Sequence, residues 1–217
     1  MHRLIPFTRI AAIALTLFCA SQHAFPQDLT HGDFEKAMAP DWCPFSGNAR
    51  NTRNTVEQVK DPAIRAKLYS LDKSGCNGYH HYCWALVRSS RAILFERETP
   101  EIQRGDLLQA LGDYNYVLGH SVHGCSLFPD IFTKMGEIQI QLGQLKEGEA
   151  SYKKAIGAKP GYAPAFVGLS DLYENQGDAD KALAVLQQGL KVNPQSAALK
   201  KKLARVQARK TGQATPP

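Results

Sequence analysis

Large apolar side chains return along the second half of the chain at a fixed interval. Phe132, Met135 and Tyr152 are followed by Phe166, Leu169 and Leu186, and Pro160 by Pro194, each pair 34 residues apart. Within each interval the apolar positions recur three and four apart, which is the period of a helix with one buried face and not of a strand. Gly136 and Ser170 occupy one small position and Ala155 and Gly189 another, so paired helices can approach closely while the larger side chains fill the groove between them. Gly143 and Gly177 stand where the first helix of each pair must stop and turn. Asp178 is placed to cap the next helix, and the prolines close each unit. The pattern predicts two helix–turn–helix units over 129–196. A solvating helix over 197–210 follows, with Leu199, Leu203 and Val206 on one face and its lysines toward water, then a frayed tail over 211–217.

Two such units are too few to bury a continuous core, so a further hairpin is expected upstream. Tyr79, Cys83, Leu86, Val87, Ser90, Ile93 and Leu94 recur at helical spacing. Thr99-Pro100 then opens a second helix in which Ala110, Tyr114 and Val117 take the small, aromatic and close-contact positions. This predicts a degenerate hairpin over 79–128 with an inserted loop from Gly119 to Pro129. Residues 25–78 read as an N-terminal cap: a short helix near 34–38, a Pro- and Asn-rich stretch that includes 48–54, and a helix opened by Asp61-Pro62 and closed at Gly75.

The repeated positions resemble the tetratricopeptide repeat (TPR) family. The second unit supplies its pattern with Phe166, Leu169, Ser170, Tyr173, Ala182, Leu186, Gly189 and Pro194; the first departs from it at Gln139 and Gly148. Gly78-Tyr79-His80-His81-Tyr82-Cys83-Trp84 is similar to a phrase of exported bacterial members of that family. The resemblance implies an all-α fold, TPR-like hairpins stacked as a short right-handed solenoid behind a helical and irregular N-terminal cap. It also implies a concave groove lined by the first helix of each unit. The inward positions are Asp130, Thr133, Lys134, Glu137, Ile140 and Gln141 in one unit and Val167, Asp171, Glu174 and Asn175 in the next. They lack the Lys, Arg and Asn set with which the family clamps a C-terminal carboxylate. A polar to weakly basic segment of another protein is the expected guest.

Composition and charge place this fold in a compartment. Arg3 and Arg9 precede an apolar run, Ile10 to Phe18, too short to cross a bilayer, and small residues follow at Ala20, Ser21 and Ala24. That is the layout of a signal peptide over 1–24, its boundary between 21 and 27, so a periplasmic or secreted chain is expected. The net charge of +6 belongs to the ends: eight Lys and Arg follow Asp180 with no acid among them, and 28–180 is net acidic. An exported chain with an acidic body is not expected to bind nucleic acid. Weak contact of the basic terminal helix with anionic head groups is the expectation if the chain serves lipid or polysaccharide export.

Beyond the leader, four cysteines remain, Cys43, Cys76, Cys83 and Cys125, an even number that suits disulfides in an oxidising compartment. In an antiparallel hairpin the start of one helix lies beside the end of the next, which favours Cys83 with Cys125 and Cys43 with Cys76. Cys76 with Cys125 and Cys43 with Cys83 stays open as the second choice. His80, His81, His120 and His123 gather near the same end and make a metal site the sharper alternative. Oxidised cysteines could not serve it as ligands, and neither Cys-x-x-Cys nor His-Glu-x-x-His occurs. Glu96, Glu98 and Glu101 beside Arg91, Arg97 and Arg104 read as solvated helical pairs, and no nucleophile elbow or phosphate loop is present. The expectation is a non-enzymatic scaffold without a cofactor that binds a peptide segment of another envelope protein. A metal- or redox-active protein built on the Cys and His end, or an export accessory, stands as the alternative.

Overall fold

The structure, a computed structural model, describes residues 39–40, 42–43, 60–94 and 99–212. The expected leader, the helix near 34–38, the 48–54 strip and the last five residues lie outside the described residues. Among the described residues there are eight helices and no strand: α1 Pro62–Lys73, α2 Tyr79–Leu94, α3 Pro100–His120, α4 Phe128–Gln141, α5 Leu145–Ala158, α6 Ala163–Asn175, α7 Ala179–Val192 and α8 Ala197–Lys210. The fold is an all-α helical repeat.

Helix ends follow from local chemistry. Asp61 Oδ1 accepts from the amides of Ala63 and Ile64 at 2.8 and 3.0 Å, with Pro62 in the first turn of α1. Asp178 Oδ1 accepts from the Lys181 amide at 2.9 Å to open α7, and Ser196 Oγ from the Leu199 amide at 3.3 Å to open α8. Gly143 and Gly177, just past α4 and α6, both sit at φ +78°, where a side chain would be strained.

The helices pack as successive pairs, α2 with α3, α4 with α5 and α6 with α7, and α8 covers the end. First helices also lie beside one another, α4 beside α6 and α6 beside α8. Small residues permit this. A Cβ on Gly136 would fall 2.9 Å from the Tyr152 ring, and one on Gly189 2.9 Å from the Phe166 ring. The two departures from the repeat pattern are compensated in place. Gly148 lets α5 come against Ile140 and the Gly136 carbonyl, and the Gln139 side chain hydrogen-bonds the Ser151 hydroxyl at 2.6 Å.

Apolar side chains form two clusters. One gathers Leu68, Leu71, Cys83, Ala110, Tyr114, Val117, Ile131 and Ile138 from α1 to α4. The other gathers Tyr152, Phe166, Leu169, Leu172, Leu186, Leu199 and Val206 from α5 to α8. Helix α4 is the seam, since Ile138 joins the first cluster and Ile140 packs on the second.

The cysteines pair as Cys43 with Cys83 and Cys76 with Cys125, with Cα atoms 5.9 and 4.8 Å apart. This corrects the favoured pairing of Cys83 with Cys125 and Cys43 with Cys76. The connector carrying Cys76 is itself laced to the loop after α3. The Val122 amide donates to the Gly75 carbonyl at 3.0 Å, the Asn77 amide to Ser121 Oγ at 2.9 Å, and Ser74 Oγ to Ser126 Oγ at 3.1 Å. Cys125 is held beside Cys76 by these bonds, while Cys83, one turn into α2, is left to meet Cys43.

Candidate functional site

The row α4, α6, α8 positions the side chains expected in the groove, and the structure divides them into groups. Thr133 is 2% exposed and its hydroxyl donates to the Pro129 carbonyl at 2.8 Å, so it belongs to the interior and not to the groove. Ile140 and Val167 are partly buried against the second cluster and form its edge rather than a polar contact surface. Gln141 and Asn175 are exposed at the ends of α4 and α6. Lys134 and Glu137 pair with each other at 2.9 Å, one turn apart on α4.

Asp130 is an internal bridge. Its Oδ2 accepts from the Tyr82 hydroxyl of α2 at 2.6 Å and its Oδ1 from the Tyr162 hydroxyl, just ahead of α6, at 2.8 Å. One carboxylate thereby ties three successive units together. Burial, and next the Asp130 charge, raise both phenols above their usual 10.0, so they remain proton donors. The Tyr114 hydroxyl is buried nearby and has no hydrogen-bond partner among the described residues.

Asp171 and Glu174 on α6 are met by the terminal helix. Lys202 of α8 binds both, Arg205 reaches Asp171 Oδ1 at 3.3 Å and Arg209 reaches Glu174 Oε1 at 3.3 Å. Lys202 is only 4% exposed, which corrects the expectation that the lysines of this helix face water. The reason is geometric: α8 takes the place of a third first helix, so one edge of it packs on α6 and a single lysine stem is covered while its charge is matched. Lys210 also pairs with Asp180, whereas Lys200 and Lys201 are exposed. Sequence periodicity had assigned these lysines to solvent because it carries no information on which residue of a neighbouring helix lies opposite.

The histidines expected to gather do so in part, as a stack. Tyr116 lies between His81 and His120, ring centroids 3.9 and 3.8 Å away and nearly parallel, and His80 packs edge-on to Trp84 at 5.2 Å. His81 Nδ1 hydrogen-bonds Asp113 Oδ1 at 2.7 Å and His120 Nδ1 hydrogen-bonds the Tyr116 carbonyl at 2.8 Å. Asp113 also accepts from Arg88 at 2.5 Å, and Asp106 takes both arms of Arg91 at 2.8 and 2.6 Å. Burial, then the neighbouring His81, lowers the His80 pKa, so this ring tends to stay neutral. His123 is exposed on the following loop. Among the described residues no group of three or more His, Cys, Asp or Glu could hold a metal ion, so the alternative built on His80, His81, His120 and His123 finds no ligand set there. The cysteines beside them are joined in pairs.

Short antiparallel helix pairs, stacked through small residues and presenting their first helices as one row, define a helical-repeat protein. Residues 139–206 match the family model described as tetratricopeptide repeat. Solved structures similar to it include the first TPR of Spaghetti (RPAP3) bound to the HSP90 peptide SRMEEVD. That match has 13% identity and a TM-score of 0.41, covering 59% of this chain and 96% of that one. Another is the second TPR domain of human RPAP3 in complex with the HSP70 peptide SGPTIEEVD, with 14% identity and a TM-score of 0.39, covering 58% of this chain and 98% of that one. None of the curated proteins matches the chain.

Proposed function

We propose that this protein is an exported scaffold whose row of first helices holds a peptide segment of another envelope protein. The observation that carries this reading is the continuous row α4, α6, α8, which presents Lys134, Glu137, Asp171, Arg205 and Arg209 on neighbouring turns. A surface of matched opposite charges with exposed amides at Gln141 and Asn175 suits a polar guest better than an apolar helix. The signal-peptide layout of residues 1–24 and the two cysteine pairs support an oxidising compartment outside the cytoplasm.

The test is site-specific photocrosslinking in cells. A crosslinker at Gln141 or Asn175 is expected to capture one discrete partner, and the same group at Lys191, exposed on α7 away from the row, is not. Equal capture from all three positions would contradict the groove. Mass spectrometry of the mature chain tests export: a first residue between 22 and 28 is expected, and an intact Met1 would contradict it.

A further inference from the structure

The two cysteine pairs interleave. In chain order the cysteines run Cys43, Cys76, Cys83, Cys125, and the fold joins the first to the third and the second to the fourth. Neither bridge links neighbours along the chain. Cys76 and Cys83 are only seven residues apart, against separations of 40 and 49 for the two bridges of the fold. In an unfolded chain, closure of that short loop is favoured about tenfold or more over either of the longer ones.

Order of arrival points the same way. A chain exported from its N-terminus presents Cys43, Cys76 and Cys83 before Cys125, so in an oxidising compartment Cys76 meets two wrong partners before the right one exists. The contacts that place Cys125 beside Cys76 come later still. The bonds from Asn77 to Ser121 and from Ser74 to Ser126 join the connector after α1 to the loop after α3 across 44 and 52 residues. They require α2 and α3 to have paired. All four cysteines lie in the α1–α4 cluster and are 0–5% exposed, so once the chain is folded its bridges are out of reach of an outside thiol. A wrong bridge occupies sulfurs that the packed cluster places elsewhere, and so holds the cluster open and accessible.

We propose that this protein, exported as read above, depends on a thiol–disulfide isomerase as its partner in maturation, which rearranges a wrong first set of bridges before the α1–α4 cluster closes. For the set Cys43 with Cys76 and Cys83 with Cys125, the isomerase thiolate attacks Cys76 Sγ, breaks its bond to Cys43 and frees the Cys43 thiolate. That thiolate attacks Cys83 Sγ and releases the Cys125 thiolate. Cys125 then attacks Cys76 Sγ, forms the second bridge of the fold and returns the isomerase thiolate. The set Cys76 with Cys83 and Cys43 with Cys125 is resolved in the same way, the freed Cys83 attacking Cys43. Net, two bridges are broken and two are formed, so the exchange consumes neither oxidant nor reductant.

The test starts from the full mature chain, reduced and unfolded, then diluted into a thiol-free oxidant with or without a reduced thiol–disulfide isomerase. Bridges are mapped by mass spectrometry of unreduced proteolytic fragments. With oxidant alone, no more than about a third of the chains should carry the pairs of the fold, the share of one pairing among three. The isomerase should raise that share about threefold. The double variant Cys76→Ser with Cys125→Ser has a single pairing left, so its bridge from Cys43 to Cys83 should form to the same extent in both conditions. Correct pairs in most chains with oxidant alone, or wrong pairs that the isomerase leaves unchanged, would overturn the dependence while export and the groove stand. An isomerase effect of equal size on the double variant would also overturn it, since choice of bridge would then not be what the partner corrects. An intact Met1 on the chain from cells, by contrast, would overturn export and with it the need for this partner, whatever the refolding gives.

Discussion

Gly168 and Gly112 show how differently one residue type serves this fold. Gly112 lies in the middle of α3 with open space where a Cβ would go, and its φ is unexceptional. Glycine there only loosens the helix, so Gly112→Ala is expected to stabilise by about 0.5–1 kcal/mol. At Gly168 the added methyl would run into the Tyr152 ring and hydroxyl, which are rooted in α5 and cannot swing away. Gly168→Ala should therefore cost about 1–3 kcal/mol by overpacking. Chemical denaturation of both variants checks the pair, and equal effects of the same sign would contradict the close approach of α4, α5 and α6. Asp130 teaches a related lesson. It stands at an inward position of a repeat helix, yet two tyrosines from neighbouring units have claimed it.

Single helices are marginal in water, and each here is held by the face it buries. Helix α8 is polar along most of its length and docks through Leu199, Val206 and the stem of Lys202. Lys202 is the one charged side chain it buries, and Asp171 and Glu174 stand ready for it on α6. Removing one partner of a buried pair leaves the other charges unmatched, so Lys202→Ala is predicted to cost about 3 kcal/mol. Exposed Lys201→Ala should change stability by no more than about 0.5 kcal/mol. Thermal melts of the two variants test this, with fraying of α8 read by amide hydrogen exchange. If Lys202→Ala melts like the parent chain, the burial of that lysine is wrong.

Across the whole chain, the two apolar clusters are stabilised by different means. The α1–α4 cluster contains both disulfides, which close spans of 40 and 49 residues, each worth about 4 kcal/mol on chain-entropy grounds. The α5–α8 cluster contains no cysteine and depends on regular repeat packing. Both tryptophans, Trp42 and Trp84, belong to the disulfide-bearing half. Reduction is therefore expected to lower the melting midpoint seen by tryptophan fluorescence well below the midpoint seen by circular dichroism at helical wavelengths. Coincident curves in reductant would mean that the two clusters unfold as one.

The parts of this protein that could be read from residue order are those set within a few neighbours along the chain. Apolar spacing, the caps at Asp61 and Asp178, and the left-handed turns at Gly143 and Gly177 are local, and with the 34-residue period they lead to stacked helix pairs and to the row of first helices. Pairings between distant segments were decided in three dimensions. Cys76 meets Cys125 because the connector after α1 is hydrogen-bonded to the loop after α3, and both cysteine arrangements have plausible spacing in the chain. Asp171, Glu174 and Lys202 find one another only once α8 lies along α6. Tyr152 fits the aromatic position of the repeat in sequence, but only the structure shows its ring held between Gly136 of α4 and Gly168 of α6. Periodicity tells which face of a helix is buried, because that depends on its own residues; it does not tell what lies across the interface, because that depends on the summed geometry of every helix between.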